Sequence, residues 1–278
     1  RQPIVSTLNL AHMMPVSAVW AGQERNAHLD GPPLIVTRTD GATPFRLVTH
    51  IGDVGHTLVV GPTGMGKSVL LATLALQFRR YPGGRVLAFD MGRSMRATVL
   101  GLGGEHYDLG PDGRIAFQPL ARIDQDGYRA WAAEWVEGRL AHEGVTVGPA
   151  ERDAVWSALA SLASAPVEQR TLTGLSVLLQ SNALRQALQP YVLGGAHGRL
   201  LDADADRLGS SPVQCFEMEE LMPSRAATLA VLSYLFARFE ERFDGAPTLL
   251  ILDEAWLFLD DPVFAARIRQ WLKTLRKK

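Results

Sequence analysis

A single cysteine, Cys215, in 278 residues leaves no intrachain disulfide and no zinc site built from several thiolates. That scarcity suits a reducing compartment, and within Val213–Phe216 the thiol reads as a small buried apolar group. No apolar run approaches the ~18 residues of a membrane-spanning helix, and no N-terminal leader pattern is visible. Charge of one sign is missing as well: 28 Lys and Arg against 29 Asp and Glu leave a net charge of −1. No global field advertises nucleic acid or an anionic membrane. The seven His are scattered without metal-ligand spacing. Internal repeats and low-complexity segments are absent. At 47% hydrophobic and 21% charged, the composition is that of an ordinary globular chain. It opens on Arg1 rather than Met, from which a fragment of something longer is expected.

What the chain does contain is "GPTGMGKS" at residues 61–68, matching G-x-x-x-x-G-K-[ST]. The setting agrees with a phosphate-wrapping loop. His56–Val60 before it reads as a buried strand, and Ser68–Phe78 after it holds no Gly or Pro and reads as a helix. Gly61, Pro62, Thr63, Gly64, Met65, Gly66, Lys67, Ser68 and Val69 are the expected nucleotide-binding residues. Glycines let backbone N–H groups turn inward, and the helix N-terminus adds its positive dipole end. Lys67 would reach the β- and γ-phosphates, and the Ser68 hydroxyl would ligate Mg²⁺.

Such a site needs an acid at the end of a neighbouring strand. "LLILDE" supplies Asp253 for the Mg²⁺ shell and Glu254 to polarise an attacking water as general base. The second acid points to hydrolysis that drives mechanical work. Asp90 ends another expected strand, "RVLAFD" (85–90), on the side where open parallel sheets bind ligands. It is either part of the site or an N-cap for the segment that follows.

Elsewhere "LIVTRTDGATPFRLV" (34–48) reads as two strands around a turn at Asp40-Gly41. From about 121 to 192 the periodicity is helical, with Val155, Trp156, Leu159, Leu162 and Ala163 on one face and Trp131, Trp135 and Trp156 expected in the core. "VQCFEM" is a strand, "SRAATLAVLSYLFARFEERF" a long helix, and "TLLILDE" a strand. The last helix carries Phe264, Ile268, Trp271, Leu272 and Leu275 on one stripe. The expected organisation is therefore α/β. Residues 1–120 hold an N-terminal segment and the first part of the nucleotide-binding core, 121–192 a helical insertion, and 193–278 the second part of the core.

"GDVGHTLVVGPTGMGKSVLL", "FDMGRS", "FQPL", "LLILDEAW" and "WLKTLRKK" occur in the order seen in the TrbE/VirB-type conjugal transfer ATPases of type IV secretion systems, which residues 30–278 resemble. Gln118 departs from the Asn more usual at that place, and the chain stops at Lys278, before the family's next strand. The resemblance implies a RecA-like P-loop NTPase domain with a mostly parallel sheet and an all-α insertion. It implies ATP rather than GTP, with Mg²⁺, and a hexamer on the cytoplasmic side of the bacterial inner membrane, working with other secretion-machine subunits. By the same resemblance Arg276 could face a neighbouring subunit's γ-phosphate. Its plainer reading, with Lys277 and Lys278, is a favourable charge at a helix C-terminus. Two other functions stay open: a DNA translocase of the FtsK/HerA kind, which would contact nucleic acid, and a nucleotide-responsive scaffold with little turnover.

Overall fold

Apolar runs such as Arg85–Asp90 and Thr248–Leu252 form strands, and the Gly- and Pro-free stretches Lys67–Phe78 and Arg225–Glu240 form helices. The computed structural model describes residues 5–14, 20–259 and 262–274. In chain order these form α1 (Thr7–Met13), β1 (Ile35–Thr37), β2 (Phe45–Leu47), α2 (Lys67–Phe78), β3 (Arg85–Asp90), α3 (Arg96–Gly101) and β4 (Glu105–Asp108). There follow α4 (Asp126–His142), α5 (Pro149–Leu162), α6 (Leu172–Leu178), α7 (Asn182–Leu188) and α8 (Gly198–Leu201). The chain continues through β5 (Val213–Glu217), α9 (Arg225–Glu240), β6 (Thr248–Leu252), α10 (Trp256–Leu259) and α11 (Pro262–Thr274).

Four strands make one sheet in the order β4-β5-β3-β6, and each neighbouring pair is parallel. The expected α/β class with a parallel sheet is therefore present. β3 is an inner strand of it, buried on both faces as parallel strands under helices are. Alternation along it divides the core. Val86 and Ala88 face α2 and α3, packing with Phe78, Val99 and Cys215, whereas Leu87 and Phe89 face the other way. On that second side the helices from α4 to α7 join α9 and α11 in one continuous core. Trp135 on α4 is 4% exposed and donates its indole N–H to the Ala230 carbonyl of α9 at 3.1 Å. β1 and β2 pair antiparallel as a separate ribbon. Among the described residues, no helix is long and apolar enough to cross a membrane.

Several expectations need correction. Residues 56–60 are not a buried strand: they join no sheet, and Leu58 and Val60 are 82% and 83% exposed. β-Branched composition alone does not bury a segment that finds no pairing partner. Trp156 is also exposed, because the buried stripe of α5 runs through Val155, Ala158, Leu159 and Leu162, one position off the indole. It lies instead under the Arg129 guanidinium, 5.2 Å from the ring centroid. Leu272 faces solvent, while Phe264, Ile268 and Trp271 are buried as expected. β4 carries no strand signal in the sequence, since all four residues of "EHYD" are ionisable. Leu275 and Arg276 lie outside the described residues.

Candidate nucleotide site

α2 opens on Gly66, which takes the left-handed conformation at φ 81°, and no side chain caps the helix. Gly64 is left-handed too, at φ 83°. Both would accept a Cβ only with backbone strain, although nothing lies within 4 Å of the place it would occupy. The loop thus keeps open space around itself and leaves the first N–H groups of a 12-residue helix without a capping side chain. That is the arrangement an anionic phosphate group fits.

Lys67 is half-buried and folds back along the loop, donating Nζ–H to the carbonyls of Gly61 at 2.8 Å and Pro62 at 3.0 Å. Thr63, Gly64, Met65, Gly66 and Val69 are exposed and Ser68 is half-buried, so the loop presents itself to solvent.

The acids follow β6. Asp253 donates its backbone N–H to the Phe89 carbonyl at 3.0 Å, which extends the β3–β6 ladder by one residue and fixes the carboxylate at the strand end. Burial pushes the Asp253 carboxyl above the usual range, and the Glu254 charge adds to this. The Glu254 backbone N–H and the Lys67 charge pull it down. Lys67 therefore lies within electrostatic reach of Asp253. Glu254 is left-handed at φ 50° and exposed, and its carboxylate accepts the Trp256 indole N–H at 2.5 Å. For a non-glycine residue that backbone is uncommon, and it turns the side chain away from the strand direction.

The same end of the sheet collects further acids. Asp90 is fully buried and accepts from Ser94 Oγ at 2.6 Å and the Met95 N–H at 2.8 Å. Its carboxylate thus braces the turn before α3 without capping the helix, whose N-cap is Met95 and which no side chain caps. Glu217, opposite Asp90 in the register, accepts the N–H groups of Gly92 and Arg93. Arg93, left-handed at φ 59°, pairs with Asp108 at 3.0 Å. Sequence reading missed Glu217 and Asp108, whose neighbours "VQCF" and "EHY" show no motif. Glu217 could have been marked by its place at the end of the expected strand "VQCFEM", and Asp108 only once β4 is known. Gln118 is buried and donates to the Val167 carbonyl at 2.5 Å, a contact with the helical segment.

The residues present fit a magnesium nucleotide: an open glycine loop at a helix start, a lysine on it, and Asp253 within electrostatic reach of that lysine. No family model matches the chain. It is similar over its whole length to the "Conjugal transfer protein TrbE" of Rhizobium radiobacter, at 45% identity over 288 residues, or 35% of that protein. It is also similar over its whole length to the "Type IV secretion system protein virB4" of Bartonella quintana, at 27% identity and covering 36% of that protein. The chain thus spans little more than a third of the length of these relatives. Among solved structures, VirB4 of Thermoanaerobacter pseudethanolicus shares the fold, with a TM-score of 0.64 and 21% identity over 87% of this chain and 74% of that one. The resemblance carried by the motifs therefore extends along the whole sequence.

Proposed function

We propose that this chain, similar from end to end to one region of the TrbE and virB4 proteins, is an ATP-hydrolysing motor domain that energises conjugative transfer or type IV secretion. One observation supports the reading: the uncapped start of α2, with Lys67 on it, lies within electrostatic reach of Asp253 at the end of β6.

In this reading the N–H groups of residues 63–68 hold the β- and γ-phosphates of ATP, and Lys67 leaves the Gly61 and Pro62 carbonyls to join them. Ser68 and Asp253 would hold Mg²⁺, an ion that would neutralise charge on the phosphate oxygens. Glu254 takes a proton from the attacking water as its oxygen bonds to the γ-phosphorus. The bond to the β–γ bridging oxygen breaks, giving ADP and phosphate. Arg276 of an adjacent subunit would stabilise the charge that develops, which requires an oligomer, a hexamer by resemblance. The helical segment 121–192 would serve contacts with neighbours or other machine subunits on the cytoplasmic face of the inner membrane.

Steady-state phosphate release with and without single-stranded and duplex DNA tests the reading. Turnover that DNA leaves unchanged supports a secretion motor. Strong DNA stimulation would favour a translocase, and binding without turnover at any protein concentration would favour a scaffold.

A further inference from the structure

Behind the nucleotide site, on the face of the sheet covered by α2 and α3, three chemically different ligand groups converge. Asp90 comes from β3, His106 from β4 and Cys215 from β5, and their ligand atoms all lie within 4.8 Å of one another. Register explains the convergence: His106 stands opposite Cys215, Cys215 opposite Ala88, and Asp90 lies two residues beyond Ala88 on the same face. None of the three belongs to the phosphate loop or to the acid pair.

Two observations set this cluster apart from ordinary core. His106 Nε2 is fully buried yet has no hydrogen-bond partner. A buried ring nitrogen left so has lost its water without gaining a bond in return, and in native proteins such an atom calls for an explanation. The second is charge. Asp90 is 0% exposed and, among the described residues, forms no ion pair; burial opposes its ionisation, with the Glu217 and Asp253 charges adding to that against the hydrogen bonds from Ser94 and Met95. Burial lowers the His106 pKa and so favours the neutral imidazole that ligates a metal, with Arg96 acting in the same direction and the Glu217, Asp90 and Asp108 charges against it. Burial also holds the Cys215 thiol protonated, with the Asp90 and Glu217 charges adding to that, so a cation must displace its proton.

We infer that Asp90, His106 and Cys215 form a binding site for one Zn²⁺-like transition-metal ion at the centre of the sheet. Thiolate, imidazole and carboxylate are the donors zinc accepts together. Bond lengths of about 2.0–2.3 Å place tetrahedral donors roughly 3.3–3.8 Å apart, so small side-chain rotations close this cluster on an ion. The ion gives Nε2 its partner, and its two positive charges balance the Asp90 carboxylate and the Cys215 thiolate. It would pin β4 to the inner strands and brace the 91–95 turn, through which Met91 touches Asp253. The burial of the three groups gives the ion a structural rather than a catalytic task.

Cobalt substitution tests this on the full 278-residue chain. Cys215 is the only cysteine, so a thiolate-to-cobalt charge-transfer band upon adding Co²⁺ can arise from no other side chain. The inference expects that band, saturating at one Co²⁺ per chain and displaced by Zn²⁺. His106→Gln should weaken Co²⁺ binding at least about tenfold with the circular dichroism spectrum unchanged, and Lys67→Ala should leave the band intact. If the wild-type protein takes up Co²⁺ without the band, or none at all, the inference is overturned. It is overturned equally if folded His106→Gln binds as tightly as the wild type.

Discussion

The indole N–H of Trp256 donates to the Glu254 carboxylate at 2.5 Å, two residues along a turn whose Glu254 backbone is left-handed. The acid proposed to activate water is thus held by a neighbour on its own segment, while Asp253 beside it is fixed by the sheet. The two acids therefore fail differently. Glu254→Gln can still accept the indole proton but cannot take one from water, so kcat should fall about 10²–10⁴-fold with nucleotide affinity retained. Asp253→Asn should instead weaken Mg²⁺-dependent binding, by about 10–100-fold for a group acting through the metal's water shell. Calorimetric titration with a non-hydrolysable ATP analogue, alongside turnover, separates the roles. Equal loss of binding in both variants would mean that they are assigned wrongly.

The helical segment shares the core of the sheet, so its removal is not a neutral edit. Trp135→Ala should destabilise the protein by about 3–5 kcal/mol, as expected for a large buried aromatic that also loses a hydrogen bond. Urea unfolding reads this. A cost under about 1 kcal/mol would show that α4 packs only loosely on α9.

The opposite outcome is expected at Leu58. At 82% exposure, Leu58→Ser should change the stability of the 278-residue chain by no more than about 0.5 kcal/mol. In a buried strand a comparable truncation costs about 2–5 kcal/mol. The same unfolding curve decides between the two.

Arg85, at the start of β3, grips Asp244 with two hydrogen bonds, Nη1 to Oδ1 at 3.0 Å and Nη2 to Oδ2 at 2.8 Å. The guanidinium holds the Asp244 carboxyl down at about 2, below its ordinary 3.8. A depressed folded-state value means that the stabilisation is complete above 3.8 and fades as pH falls toward about 2. The Tm gap between wild type and Asp244→Ala should therefore be widest near neutral pH and narrow through that window. A gap independent of pH would assign the effect to something other than this ion pair.

Much of the molecule can be read from the sequence because its signals are local. The β3 run "RVLAFD" is buried on both faces, and Ser224 starts α9 by capping the Ala227 N–H. Gly64 and Gly66 of the loop take the left-handed backbone that glycine allows. What stays hidden depends on partners distant in sequence. β4 becomes a strand only because β5 pairs with it, so the polar "EHYD" gives no warning. Residues 56–60 look like a core strand yet stand unpaired. Asp90, His106 and Cys215 come from three separate strands and meet only through their register. Arg276 is legible only through resemblance.

The central claim, a magnesium-nucleotide site built on residues 61–69 and the acids after β6, is tested most directly at Lys67. The decisive measurement is calorimetric titration of wild-type and Lys67→Ala protein with Mg²⁺ and a non-hydrolysable ATP analogue, with phosphate release from ATP followed in parallel. The account predicts saturable, Mg²⁺-dependent binding by the wild type, clearly weakened in Lys67→Ala together with loss of turnover. Unchanged affinity and unchanged turnover in Lys67→Ala would contradict it.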